Sequence, residues 1–151
     1  MQTGNGRAAT AEEVAAVRAA VRVARHLERA ACSLSPAHYR VLAAIEDGSG
    51  RASRVATSLA LGKPTVSAAV EALCQRGLLE RQPDAADQRV ASLALTEAGH
   101  RSLAAADSAM AESLAELCRR AGDAGLRLHA CLRALGAALD DLAAESGARR
   151  R

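Results

Sequence analysis

A chain of 151 residues, half of them hydrophobic, is long enough for one domain with a sizeable core. One tyrosine and no phenylalanine or tryptophan mean that this core is built from alanine, leucine and valine. The net charge of +3 permits contact with nucleic acid without requiring it, no apolar run is long enough to span a bilayer, and the first residues lack the apolar centre of a secretion signal.

Cys32, Cys74, Cys118 and Cys131 show no C-x-x-C spacing, and the histidines form no i, i+4 pair. A cytoplasmic protein with reduced thiols, no metal and no cofactor is expected. An enzyme is disfavoured as well: no nucleophile stands at motif spacing from a base, and there is no glycine-rich phosphate loop.

Residues 1–9 are small, polar and glycine-containing, an expected disordered start. Thr10, followed by Ala11-Glu-Glu-Val, predicts a capped helix with acids in its first turn. Val14, Val17, Val21 and Ala24 form its apolar stripe, and the helix is predicted to run to about Cys32 within a segment 10–34. Ser33-Leu-Ser-Pro breaks it. Ser35 is placed to cap the next helix, with Pro36 at its first position and Tyr39, Leu42, Ala43 and Ile45 on its buried side, until Asp47-Gly-Ser-Gly ends it.

From Ser53 to Gly77 the chain reads as a helix, a turn and a second helix. Ser53 is the expected cap of the first, which buries Val55, Ala56 and Leu59. Gly62 is expected to supply the permissive backbone of the turn, and Pro64 to occupy the first position of the second helix. That helix buries Val66, Ala69, Val70 and Leu73, spaced i, i+3, i+4 and i+7, and Gly77 is placed to end it in a left-handed cap. Lys63, Thr65, Ser67, Ala68 and Glu71 are left on the solvent side. Leu78 to Leu95 then reads as two short strands around a polar, proline-containing hairpin. A helix-turn-helix backed by a hairpin is a winged helix, assigned to residues 35–95.

Thr96 with Glu97 opens another long helix carrying Leu103, Ala106, Met110, Leu114 and Leu117, and Gly122-Asp-Ala-Gly125 marks a turn. Leu128, Leu132, Leu135, Leu139 and Leu142 follow at coiled-coil-like 4-3-4-3 spacing. These stripes exceed what a small winged core needs to cover. Segments 10–34 and 96–146 are therefore expected to pair with a second copy, and 147–151 is a basic tail. The fold expected is mainly α with a small β-hairpin wing, its winged helix-turn-helix flanked by long N- and C-terminal dimerisation helices.

Thr65-Val-Ser67, Leu73-Cys-Gln-Arg-Gly-Leu-Leu-Glu-Arg81, Asp87-Gln-Arg89 and Leu93-Ala-Leu-Thr-Glu-Ala-Gly99, in this order and spacing, resemble the core of the MarR (multiple antibiotic resistance regulator) family. Ala68 departs from the pattern, standing where many members carry a basic or larger polar residue. The resemblance implies a homodimeric regulator of an inverted-repeat operator in double-stranded DNA, most often a repressor, and a small-molecule cleft between the dimer helices and each winged lobe.

The residues themselves name the candidate DNA contacts. Lys63, Pro64, Thr65, Ser67 and Ala68 lie at the start of the second helix, where a recognition helix meets base edges. Arg89 suits a minor groove with Asp87 orienting it, and Arg51, Arg54 and Arg76 are phosphate candidates. Arg22, His26, His38 and Tyr39 are the candidates for a ligand cleft, with Cys32 as a thiol at the junction of the first two helices. Two other readings stand beside the ligand-relieved repressor: a thiol-oxidation sensor of the same fold, and a winged-helix protein-interaction module.

Overall fold

The computed structural model describes residues 7–59, 61–83 and 91–148. Residues 1–6 of the expected disordered start, the hairpin turn with Asp87 and Arg89, and the last three residues of the basic tail lie outside these.

Among the described residues six helices and one hairpin follow in the order α1 (Ala11–Ala30), α2 (Pro36–Glu46), α3 (Ala52–Ser58), α4 (Lys63–Gln75), β1 (Leu79–Pro83), β2 (Ala91–Leu95), α5 (Glu97–Ala121) and α6 (Asp123–Ala148). β1 and β2 pair antiparallel, with Leu79 opposite Leu95 and Pro83 opposite Ala91. Mainly α with a two-stranded wing is the fold the periodicities predict.

The helix starts have local causes. Thr10 and Glu13 form a capping box at α1: the Thr10 hydroxyl accepts from the Glu13 N–H, and the Glu13 carboxylate accepts from the Thr10 N–H. The bond from the Thr10 backbone, then the Arg7 guanidinium, hold the Glu13 carboxyl below the usual carboxylate range. Ser35 accepts from the His38 N–H to start α2, with Pro36 in the first turn.

Three local expectations are corrected. Ser53 does not cap α3; the helix begins at Ala52 with Arg51 as its cap residue and no side-chain capping bond, and the Ser53 carbonyl instead accepts from the Thr57 hydroxyl. Gly62 needs no special backbone, since its φ of −61° is open to any residue, and Lys63 takes the first helical position with Pro64 second. The turn expected over Gly122 to Gly125 is shorter: Gly122 alone caps α5, and Asp123 already begins α6.

The core lies in the winged lobe. Val41 and Leu42 of α2, Val55 of α3, and Val66 and Leu73 of α4 are its most deeply buried side chains. Burial of each contributes about 1.5–3 kcal/mol, so three short helices with little intrinsic stability hold one another in place. Leu79, Leu93 and Leu95 close the core from the hairpin, Leu103 and Ala106 from α5, and Ala31 and Leu34 from the α1–α2 junction. The Leu93 N–H also donates to the Gly50 carbonyl at 2.6 Å, adding a strand-like contact ahead of α3.

The long helices bury far less. α1 packs on α5 and α5 on α6, yet α1 has no fully buried residue. Val17 and Val21 on α1, and Leu135 and Leu139 on α6, are 54–66% exposed.

Candidate nucleic-acid interface

The buried and solvent faces of α4 divide as its spacing dictates. Val66, Ala69, Val70 and Leu73 are buried, and Lys63, Pro64, Thr65, Ser67, Ala68 and Glu71 are exposed. Gly62 caps the helix without a side-chain bond and Pro64 has no N–H, so the first-turn donors without a capping side chain are the Lys63 and Thr65 N–H groups, beside the Lys63 ammonium. An uncapped N-terminus with a cation and two hydroxyls offers donors to phosphate and to base edges. Arg54 is exposed on α3, and Arg51 is half-buried at its start.

The other end of α4 is fixed. Gly77, at φ +68°, lets its own N–H donate to the Cys74 carbonyl and the Leu78 N–H to the Leu73 carbonyl, both at 2.9 Å, while Leu73 and Leu78 are both buried. This is a Schellman cap, and only a residue tolerant of the left-handed region makes it without strain.

Thr96 adds a second anchor. Its hydroxyl donates to the Gly77 carbonyl at 2.6 Å and accepts from the Gly99 N–H at 3.0 Å, so one side chain starts α5 and grips the end of α4. A Cβ at Gly99 would overlap the Leu78 carbonyl. The Leu-Thr-Glu-Ala-Gly stretch is thus a joint between α4, the hairpin and α5.

Arg81 on β1 donates to the Glu71 carboxylate at 3.1 Å and ties the wing to α4. Both ends of this pair are exposed, so it contributes about 0–1 kcal/mol and acts mainly on orientation. Helical spacing alone makes Glu71 a solvent residue. Its opposite charge to Arg81, with Gly77 folding the chain back between them, was the available signal.

Arg76, a phosphate candidate in the sequence, is committed elsewhere. Its guanidinium donates to the Ser33 carbonyl at 3.1 Å and meets His38 Nδ1 at 3.3 Å. The contact binds the end of α4 to the α1–α2 junction. Burial first, and the Arg76 charge second, push the His38 imidazole below its ordinary value; a guanidinium can only donate, so Nδ1 is the acceptor in this contact.

The five ligand candidates do not meet at one point. Arg22 and His26 line a cleft along α1, and Cys32 lines a neighbouring one at the α1–α2 junction. His38 faces Arg76. The Tyr39 hydroxyl donates to Asp107 of α5 at 2.8 Å, and half-burial with that carboxylate raises its pKa to about 12. Among the described residues no group of three or more His, Cys, Asp or Glu is arranged to hold a metal ion, and no helix is long and apolar enough to cross a membrane. Asp87 and Arg89 lie outside the described residues.

The sequence profile of the MarR family matches residues 33–90, the span from the α1–α2 junction through the hairpin turn. No curated protein matches the chain. Among solved structures, the transcriptional repressor CouR bound to a 23-mer DNA duplex is 30% identical, over 85% of this chain and 99% of that one, with a TM-score of 0.60. A MarR-family transcriptional regulator from Rhodococcus sp. RHA1 is 19% identical over 88% of this chain and 98% of that one, with a TM-score of 0.70. CouR from Rhodococcus jostii RHA1, bound to p-coumaroyl-CoA, is 21% identical over 84% and 87%, with a TM-score of 0.67. The two lower identities speak to fold alone. With the profile lying over the helix-turn-helix and wing, and the higher identity running the length of a DNA-bound repressor, the chain belongs to the MarR family of DNA-binding transcriptional regulators.

Proposed function

We infer that the protein is a cytoplasmic, homodimeric repressor that binds an inverted-repeat operator in double-stranded DNA and leaves it when a small molecule binds. The observation that carries the reading is the exposed, uncapped start of α4, rigidly held from behind by the Gly77 cap and the Thr96 joint. Thr65 and Ser67 then read base edges in the major groove; Ala68 and Pro64 lie against the duplex, and Lys63, Arg51 and Arg54 neutralise phosphates. Arg89, steadied by Asp87, takes the minor groove beside the wing.

Dimerisation is supported by the valines of α1 and the leucines of α6, which a single chain leaves in water. Two copies joined there hold two α4 helices for two half-sites, about one duplex turn or ~34 Å apart. The DNA-bound CouR supports repression, and the CouR bound to p-coumaroyl-CoA supports release by a ligand. Selection from random duplex DNA with the purified protein tests the reading. Enrichment of a two-fold symmetric site is expected; enrichment of nothing, with a protein partner recovered instead, favours an interaction module.

Cys32 supports a second mode of release. It is exposed at the α1–α2 junction next to Ser33, whose carbonyl holds Arg76. Its oxidation would disturb the same joint. Mild peroxide should then free DNA from the native protein and leave a Cys32→Ser variant bound.

A further inference from the structure

A cleft of about 520 Å³ opens along the C-terminal half of α1. Its polar lining is Arg22, Arg25, His26 and Arg29, and its apolar wall is Ala19, Val23 and Leu117 of α5. A second chamber of about 350 Å³ shares Arg25 and Arg29 with it and continues past Glu28 to Cys32, Leu34 and Pro36 at the α1–α2 junction. The shared residues make the two chambers one groove.

The charge in this groove is one-sided. Arg22, Arg25, His26 and Arg29 stand at i, i+3, i+4 and i+7, so like charges are neighbours along one helix face, an arrangement that costs stability in an isolated helix. No carboxylate lines the first chamber, and Glu28 in the second is held by Arg40. Among the described residues none of the three guanidiniums is in an ion pair. A single carboxylate would answer one of them. Two or more phosphates answer all three, because each guanidinium presents a planar fork that matches phosphate oxygens. The alanine, valine and leucine wall leaves room for an organic body.

The groove is separate from the other two surfaces of the molecule. At 100° per residue, the arginine face of α1 is centred roughly a quarter of a circle from the Val14, Val17 and Val21 stripe, so it flanks a pairing surface made by the valines rather than coinciding with it. It approaches α4 only at the C-terminal end, where Arg76 meets Ser33. The 13 residues of α4 place the helix start about 18 Å further on, so the groove lies outside the surface that faces DNA.

We propose that this groove binds an organic anion carrying two or more phosphate groups, of the nucleotide or nucleotide-thioester kind. Its regulatory consequence rests on the repressor reading above. A ligand drawing Arg25 and Arg29 together moves the α1–α2 junction, and with it the Ser33 carbonyl that holds the end of the recognition helix.

The test is calorimetric titration of the full chain with ATP and with butyryl-coenzyme A, beside benzoate and inorganic phosphate. The two polyphosphates should bind at least about tenfold tighter than benzoate or phosphate, and an Arg22→Gln, Arg25→Gln, Arg29→Gln variant should lose at least about tenfold while its thermal midpoint holds or rises. The tighter of the two names the source, since an acyl chain extends into the second chamber and ATP has none. Benzoate binding as tightly as the polyphosphates overturns the proposal, as does a variant that folds and binds them unchanged. A gel shift on the selected operator keeps the two readings apart. Operator binding without polyphosphate binding overturns this inference alone, and polyphosphate binding without operator binding supports the groove and overturns its place in a repressor.

Discussion

A side chain's partners decide its role more firmly than its type. Arg54 and Arg76 are both exposed arginines of the winged lobe, yet Arg76 is spent on Ser33 and His38. His38 gives that joint a pH dependence. Its imidazole titrates below the unfolded value of 6.5, so between the two values the unfolded chain binds more protons, and stability falls as pH drops through that window. Taking the native protein from about pH 7.5 to about pH 5.5 should lower its urea midpoint more than that of a His38→Gln variant. Equal slopes would remove His38 from the joint. At the DNA, Arg89→Ala is expected to weaken operator binding by about 1–3 kcal/mol and reduce the salt slope by about 1, measured by gel-shift titration across salt concentrations. Unchanged affinity would remove Arg89 from the mechanism.

The helices are legible in the sequence because their signals are local: Thr10 and Ser35 are caps with the right following residues, and the spacing of Val66, Ala69, Val70 and Leu73 defines one buried face. Ser53 misleads because a hydroxyl near a helix start is only a cap if the backbone turns there, and packing of Val55 and Ala56 sets the start of α3 two residues earlier. What spacing does not reveal is contact across the chain. The grip of Arg76 on Ser33, of Arg81 on Glu71 and of Thr96 on Gly77 joins residues 10 to 43 positions apart, and no periodicity encodes such pairs. For the same reason the ligand candidates, chosen by type, divide among separate places. The ends of α4 supply the element-scale prediction. Gly77→Ala forces a Cβ into the left-handed region with open space around it, so it should cost about 1–2 kcal/mol of unfolding free energy by urea titration. Gly99→Ala should cost more, because the new Cβ meets backbone rather than solvent. A smaller loss at Gly99 would mean that α5 shifts freely on β1, and the proposed joint would not hold.

The molecule as a whole is unevenly finished: the winged lobe has a closed core, and the long helices carry apolar faces into water. That imbalance is the reason to read the protein as half of an assembly. Leu135→Glu with Leu139→Glu should yield monomers by analytical ultracentrifugation and abolish operator binding at native concentrations, while the winged lobe keeps its fold. A double variant that stays dimeric would place the interface elsewhere. The proposed mechanism needs two recognition helices held one duplex turn apart, and half-site spacing tests that most directly. Inserting five base pairs, about half a turn, between the half-sites of the selected operator should reduce affinity about a hundredfold or more, to that of an isolated half-site. An affinity indifferent to the insertion would contradict it.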